Sequence, residues 1–151
     1  MANNYTQFSF AFKVKGLKAK AWIEKTIDKL VKASNDEEAD EEILEMFPDW
    51  EDYLDVGFRT EMEPVASARD GKPNLFELII FSEESGNVDH AANFVQAILS
   101  RFDPKGKVGF QWADTCDKMR PDQFGGGACV VTAEKQKWLN TFTWMNKEMS
   151  K

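Results

Sequence analysis

The stretch Val108 to Ala133, VGFQWADTCDKMRPDQFGGGACVVTA, constrains the fold more than any other. Lys107–Ala113 and Gly125–Thr132 are rich in β-formers, and the residues between them are polar and charged. That pattern predicts two antiparallel strands joined by a long connection. Gly125, Gly126 and Gly127 open the second strand. A phosphate cradle needs glycines that lead from a strand into a helix N-terminus. Here they lead into a strand, and the lysine and hydroxyl of a phosphate loop are missing. Their expected role is steric: they leave room for another backbone, or for the ring of Trp112 or Phe124.

The rest of the chain supplies partners for that hairpin. Gln7–Lys15 alternates Phe8, Phe10, Phe12 and Val14 with smaller or polar residues, which predicts a strand with one buried face. After Gly16, Lys18–Ala33 carries Ile23, Ile27, Leu30 and Val31 at helical spacing, with Lys20, Lys25, Lys29 and Lys32 as a solvated face. Gly57–Glu63 and Leu75–Ser82 read as strands flanking an Asp70-Gly71 turn, the second apolar enough to be central. Asn87 is placed to cap a helix over Val88–Phe102, whose Ala91, Phe94, Val95, Ile98, Leu99 and Phe102 form one stripe. Thr132 is expected to cap a last helix, Ala133–Met149, with Trp138, Phe142, Met145 and Met149 at helical spacing, a stripe for core or partner contact. The order suits an α+β fold built on a ferredoxin-like β-α-β-β-α-β core. It predicts an antiparallel sheet with helices on one face, closed by a hairpin and a helix. At 151 residues this is one domain, 1–151, with residues 34–55 as an acidic insertion.

Charge is distributed unevenly. The net charge is −7, yet residues 1–33 carry +5 and residues 36–63 carry −12, with Arg59 the one base in the latter span. In the segment SNDEEADEEILEMFPDWEDYLD, Asn35 or Asp36 is expected to cap a short helix with apolar contacts from Ile43, Leu44, Met46 and Phe47. Phosphates are repelled by such a surface, so direct nucleic-acid binding is disfavoured. A basic protein partner suits it better. The expected partner surface is Glu37, Glu38, Asp40, Glu41, Glu42, Glu45, Asp49, Trp50, Glu51, Asp52 and Tyr53. Aromatics in an acidic rim suit an interface, and they equally suit residues folded back onto a core.

Chemistry finds little support. His90 stands alone, at a helix start where a surface position is usual, so a histidine metal cluster and a histidine base are not expected. Cys116 and Cys129 make no zinc set, since four ligands are normal. Cys129 reads as a small buried strand residue and Cys116 as a thiol at a loop edge. Asp49, Glu51, Asp52 and Asp55 lack both the spacing and the glycine of a calcium loop. Asp114, Asp117 and Asp122 lie in a hydrophilic connection that offers no burial to split their pKa values. No metal or cofactor is expected, and catalysis is disfavoured. The start MANNYTQF lacks signal-peptide character, and apolar runs are too short to span a bilayer, which points to a cytoplasmic setting. The competing expectation is a small-ligand or nucleotide site, even an enzyme, lined by Trp112, Thr115, Arg120, Phe124, Gly125, Gly126 and Gly127.

Trp112-Ala113-x-Thr115-Cys116, then Phe124-Gly125-Gly126-Gly127-Ala128, then Val131-Thr132-Ala133, resembles a pattern of small proteins from phages and mobile elements. The resemblance covers about the last third of the chain. It implies an origin and brings no assigned activity and no catalytic residues. Together with the acidic block it leads to the expectation of a non-catalytic accessory protein. Such a protein would inhibit a host or defence protein by docking on its basic, nucleic-acid-binding surface.

Overall fold

Two-residue alternation builds the first strand, β1 (Asn4–Lys15), in which Phe8 and Val14 are buried while Ser9, Ala11, Lys13 and Lys15 are exposed. The computed structural model describes residues 2–35, 39–50, 55–67 and 73–151. β1 is flanked by β3 (Pro73–Ser82), registered from Phe8↔Ser82 to Lys15↔Leu75. β3 buries Phe76, Leu78 and Ile80 on the same side. β2 (Arg59–Ser67) forms one edge against β3. On the other side β4 (Lys107–Cys116) meets the start of β1, from Asn4↔Cys116 to Gln7↔Ala113. β5 (Gly125–Thr132) and β6 (Gln136–Asn140) follow outward. The sheet has six strands in the order β2-β3-β1-β4-β5-β6, and every ladder between neighbours is antiparallel.

Helices α1 (Leu17–Ser34) and α3 (Val88–Phe102) close the core. α1 contributes Ala19, Ile23 and Leu30, and α3 contributes Ala91, Phe94, Val95, Ile98 and Leu99. Burying a Phe, Leu or Ile side chain stabilises by roughly 1.5–3 kcal/mol, so these stripes drive the packing. Asn87 caps α3 by accepting the His90 N–H at 2.9 Å, as expected. Gly16 precedes α1 at φ 101°, a conformation that disfavours a side chain.

The α+β class and the antiparallel sheet agree with the sequence reading. The strand order differs from a four-stranded ferredoxin-like sheet, because β5 and β6 continue beyond β4. The last helix is also corrected. Ala133–Met149 does not form one helix; β6 comes first, and only Thr141–Met149 is helical (α4). The local cause is a tight turn: the Thr132 N–H donates to the Lys135 carbonyl at 2.8 Å, while Thr132 Oγ1 accepts the Lys135 N–H at 3.0 Å. That turn reverses the chain into a strand. Asn140, not Thr132, caps α4, accepting the Thr143 N–H at 3.1 Å. In the acidic segment, α2 (Glu41–Met46) is capped by Asp40 rather than by Asn35 or Asp36. Asp36 and the Asp70-Gly71 turn lie outside the described residues.

Candidate functional site

The acidic segment is tied to the helices beside it. Asp40 Oδ1 accepts the Ile43 N–H at 2.9 Å, and its other oxygen meets Lys29 Nζ at 2.9 Å. The Lys29 hydrogen bond, with that of the Ile43 N–H, holds the Asp40 carboxyl below the usual carboxylate range. The same contact with Asp40 raises Lys29 above 10.5. Glu42 accepts the Trp22 indole N–H at 3.0 Å, lies 3.5 Å from Lys29, and faces Arg101 at 3.6 Å. The Arg101 guanidinium in turn sits 4.6 Å over the Trp22 ring. α1 and α3 thus supply the cations that neutralise Asp40 and Glu42. Glu41 and Glu45 remain exposed. Ile43, Phe47 and Trp50 are buried, so Trp50 belongs to the core and not to a partner surface. Glu37, Glu38, Glu51, Asp52 and Tyr53 lie outside the described residues.

Replacing Asp40 with Ala removes a cap and should cost about 1 kcal/mol at neutral pH. The sign of the pH dependence follows from the depressed carboxyl. Its contribution is present above the ordinary carboxylate value and is lost as pH falls through the lower folded value. Lys29 behaves oppositely: its contribution is present below 10.5 and is lost as pH rises through the raised folded value. The stability gap between wild type and Asp40→Ala should therefore narrow in acid. Urea titrations at about pH 7 and about pH 3 check this. An unchanged gap in acid would assign the cost to the helix alone and not to the carboxylate.

His90 is fully buried, which corrects the expected surface position. Its Nδ1 lies 2.9 Å from the Val56 carbonyl oxygen, and its Nε2 lies 3.1 Å from Asp49 Oδ1. Both partners are acceptors. Nδ1–H donates to the Val56 carbonyl, and Nε2 lies against the Asp49 carboxyl. Phe47 and Trp50 pack on the ring with centroids 4.8 and 5.9 Å away, the Trp50 plane tilted by 19°. Asp49 is therefore committed to the histidine. This network fastens α2 and the segment entering β2 to the first turn of α3. With no exposed atom, the imidazole cannot reach a substrate.

The glycine-rich hairpin is a packing device. Gly127 stands directly against the Trp112 indole, as expected, since a methyl group there would lie 2.5 Å from Trp112 Cη2. Trp112 Nε1 donates to Asp114 at 3.3 Å, and Asp114 accepts the Thr6 hydroxyl at 2.9 Å. Thr115 Oγ1 donates to Gln7 at 3.3 Å. Arg120 and Phe124 are exposed in the connection. The structure brings together Trp112, Asp114 and Gly127. Two cavities lie elsewhere. One of about 590 Å³ is bounded by the end of α1, residues 55–59 and residues 81–85. The other, about 350 Å³, lies between β1, α3 and the start of β4. Cys116 is the last residue of β4, at the edge of the connection as expected, and it is buried there. Cys129 is buried as expected, and burial, with some repulsion from Asp89, pushes its thiol up to about 11. Among the described residues, no group of three His, Cys, Asp or Glu is arranged to hold a metal, and no helix is long and apolar enough to cross a membrane.

One surface lies at the C-terminal end of the fold. β6 is the free edge of the sheet, and none of the nine residues of α4 is buried. Trp138, Phe142, Trp144, Met145 and Met149 are exposed there, from 39% for Trp138 to 79% for Met149, while Leu139, next to Trp138 in the strand, is exposed on the opposite sheet face. The helical spacing of Phe142, Met145 and Met149 was legible, and it read as core or partner contact. The Trp112 and Trp138 rings meet edge to face at 5.6 Å, which connects this surface to the hairpin. No family model, curated protein or solved structure matches the chain.

Proposed function

We propose that this chain is a non-catalytic protein-binding module that docks through the apolar surface of β6 and α4. The observation that carries the reading is the unburied helix: α4 presents Phe142, Trp144, Met145 and Met149 and buries none of them. A monomer that displays several large apolar side chains on one terminal element has a use for them. The reading also draws on the engagement of His90, Asp49, Asp40 and Glu42 in structural contacts. The core is proposed as ferredoxin-like in its first four strands, supported by the order β2-β3-β1-β4 with α1 and α3 as crossovers.

A second reading keeps the acidic block as the docking surface for a basic protein, such as a host or defence protein that binds nucleic acid. The exposed Glu41 and Glu45 and the net −12 of residues 36–63 favour it. The ties of Asp40, Glu42 and Asp49 to cations and His90 count against it. Salt separates the two readings. Capture from cell extract by immobilised protein should persist at high salt if apolar contacts dominate, and fade if acidic contacts dominate. On the first reading, Phe142→Glu with Met145→Glu should abolish the capture that wild type shows, with the retained protein identified by mass. Retention undiminished by that double change, and lost instead on charge reversal at Glu41 and Glu45, would reverse the choice.

A further inference from the structure

We propose that the cavity between β1, α3 and the start of β4 binds a small amphiphile: a single apolar chain that ends in a carboxylate. The site shares no residue with the surface on β6 and α4. It lies where two strands part. The β1–β4 ladder runs from Asn4↔Cys116 to Gln7↔Ala113, and from Phe8 to Lys15 β1 is paired with β3. The Phe10 and Phe110 rings still stack across the gap at 4.5 Å. Beyond them, residues 12–15 and 107–108 border an opening of about 350 Å³. Small-molecule sites commonly measure about 300–1,000 Å³, so this one takes a single short chain. Continued at the same register, the ladder would set Lys13 directly opposite Lys107. Like charges so placed disfavour closing the strands here.

The lining divides by chemistry. Alternation turns Phe12 and Val14 of β1 and Val108 of β4 to the helix side, where Ile98, Leu99 and Phe102 of α3 form the floor. Val14, Ile98, Leu99 and Val108 are buried, and Phe12 and Phe102 are partly so. That side suits a hydrocarbon chain. The same alternation turns Lys13, Lys15 and Lys107 to the other side of the strands. Asp103, which ends α3, is the one carboxylate among the described lining residues. Glu77 stands opposite Lys13 on the β3 side. None of the three lysines forms an ion pair among the described residues. An anionic head between Lys13 and Lys107 offsets the repulsion that continued pairing would create, whereas a cationic head adds to it. The apolar floor rejects a bare inorganic anion. Floor and lysines together therefore select a fatty carboxylate over an alcohol, an amine or a phosphate ion.

Isothermal titration calorimetry of the full chain, with carboxylates from hexanoate to dodecanoate below their micelle concentrations, reads the site. Binding should be one to one. Each added methylene should tighten it by up to about fourfold until the cavity is filled, after which the gain stops. Decanol should bind about tenfold more weakly than decanoate, and decyltrimethylammonium more weakly still. Lys15→Glu with Lys107→Glu should weaken decanoate about tenfold or more. Those positions stand opposite Leu75 and Thr132 in their ladders, so the reversal sets no like charges face to face and spares the fold. No binding of any carboxylate, an affinity independent of chain length, or equal affinity for the ammonium would overturn the site. Decanoate binding that ignores the lysine changes but disappears with Phe142→Glu and Met145→Glu would move the ligand to α4 and overturn it as well.

Discussion

His90→Ala should destabilise the chain by about 3–5 kcal/mol, a large share of the stability of a domain this size. Three losses add. The Val56 carbonyl oxygen, 2.9 Å from Nδ1, loses its donor, and an unsatisfied buried acceptor costs about 1–3 kcal/mol. The ring also leaves a hole between Phe47 and Trp50, and truncating a buried side chain of this bulk costs about 2–5 kcal/mol when the site relaxes only partly. The third loss is the smallest. Asp49 gives up its Nε2 partner at 3.1 Å, but its side chain is 43% exposed, so water recovers most of that contact. Collapse of the hole reduces the sum to the range given.

His90→Phe separates these parts. It refills the hole but supplies no donor, so it should cost about 1–3 kcal/mol, the polar share alone. Urea midpoints for the two variants, measured at one protein concentration, give the comparison. Equal costs would mean that the cavity contributes nothing and that the hydrogen bonds hold α2 to α3 unaided. A cost below about 1 kcal/mol for His90→Ala would contradict the buried network itself. Near-UV dichroism adds an independent check, because the Trp50 plane lies only 19° from the imidazole and should lose its fixed setting in the Ala variant.

The histidine also shows where sequence reasoning ran out. Its burial is dictated by Asp49 and Val56, 41 and 34 residues away. No local period announces such a contact, and the position next to Asp89 at a helix start resembles a surface site. The acidic block shows a related limit of composition. Composition counts its charges, but Lys29 and Arg101, which neutralise Asp40 and Glu42, come from α1 and α3. Elements with a clean repeat were read well: the α3 stripe with its Asn87 cap, the alternation of β1, and the apolar β3. β6 was lost because Trp138, Phe142, Met145 and Met149 fit a helical spacing. In the fold, Trp138 answers to a period of two and the others to a period of three to four. The Thr132–Lys135 turn decides between them, and a Thr at that point reads equally as a helix cap. The docking surface was hidden by the same ambiguity, since an apolar stripe tells that burial is wanted and not by whom.

Gly127→Ala should cost about 3 kcal/mol, whereas Gly125→Ala should stay within about 0.5 kcal/mol. Both glycines sit in the same strand, so strand propensity cannot separate them. At Gly125 the nearest atom to an added methyl is Thr141 Oγ1 at 3.5 Å, ordinary contact. At Gly127 the methyl would lie 2.5 and 2.7 Å from Trp112 Cη2 and Cζ2 and would press on the Leu139 carbonyl oxygen. Trp112 has little room to retreat, because Phe110 and Trp138 pack on it at 6.5 and 5.6 Å and its N–H is directed to Asp114. The Leu139 carbonyl belongs to the β5–β6 ladder, so relief on that side shifts β6. A combined Trp112→Leu, Gly127→Ala chain divides the cost. Recovery of most of the loss, relative to Trp112→Leu alone, would place the clash at the indole. No recovery would place it at the Leu139 backbone. Thermal melts suit the test: about 3 kcal/mol corresponds to a drop of roughly 6–12 °C for a chain of this length. A melting point for Gly127→Ala equal to that of Gly125→Ala would contradict the seating of Trp112 on Gly127, and with it the packed link between the hairpin and the docking surface.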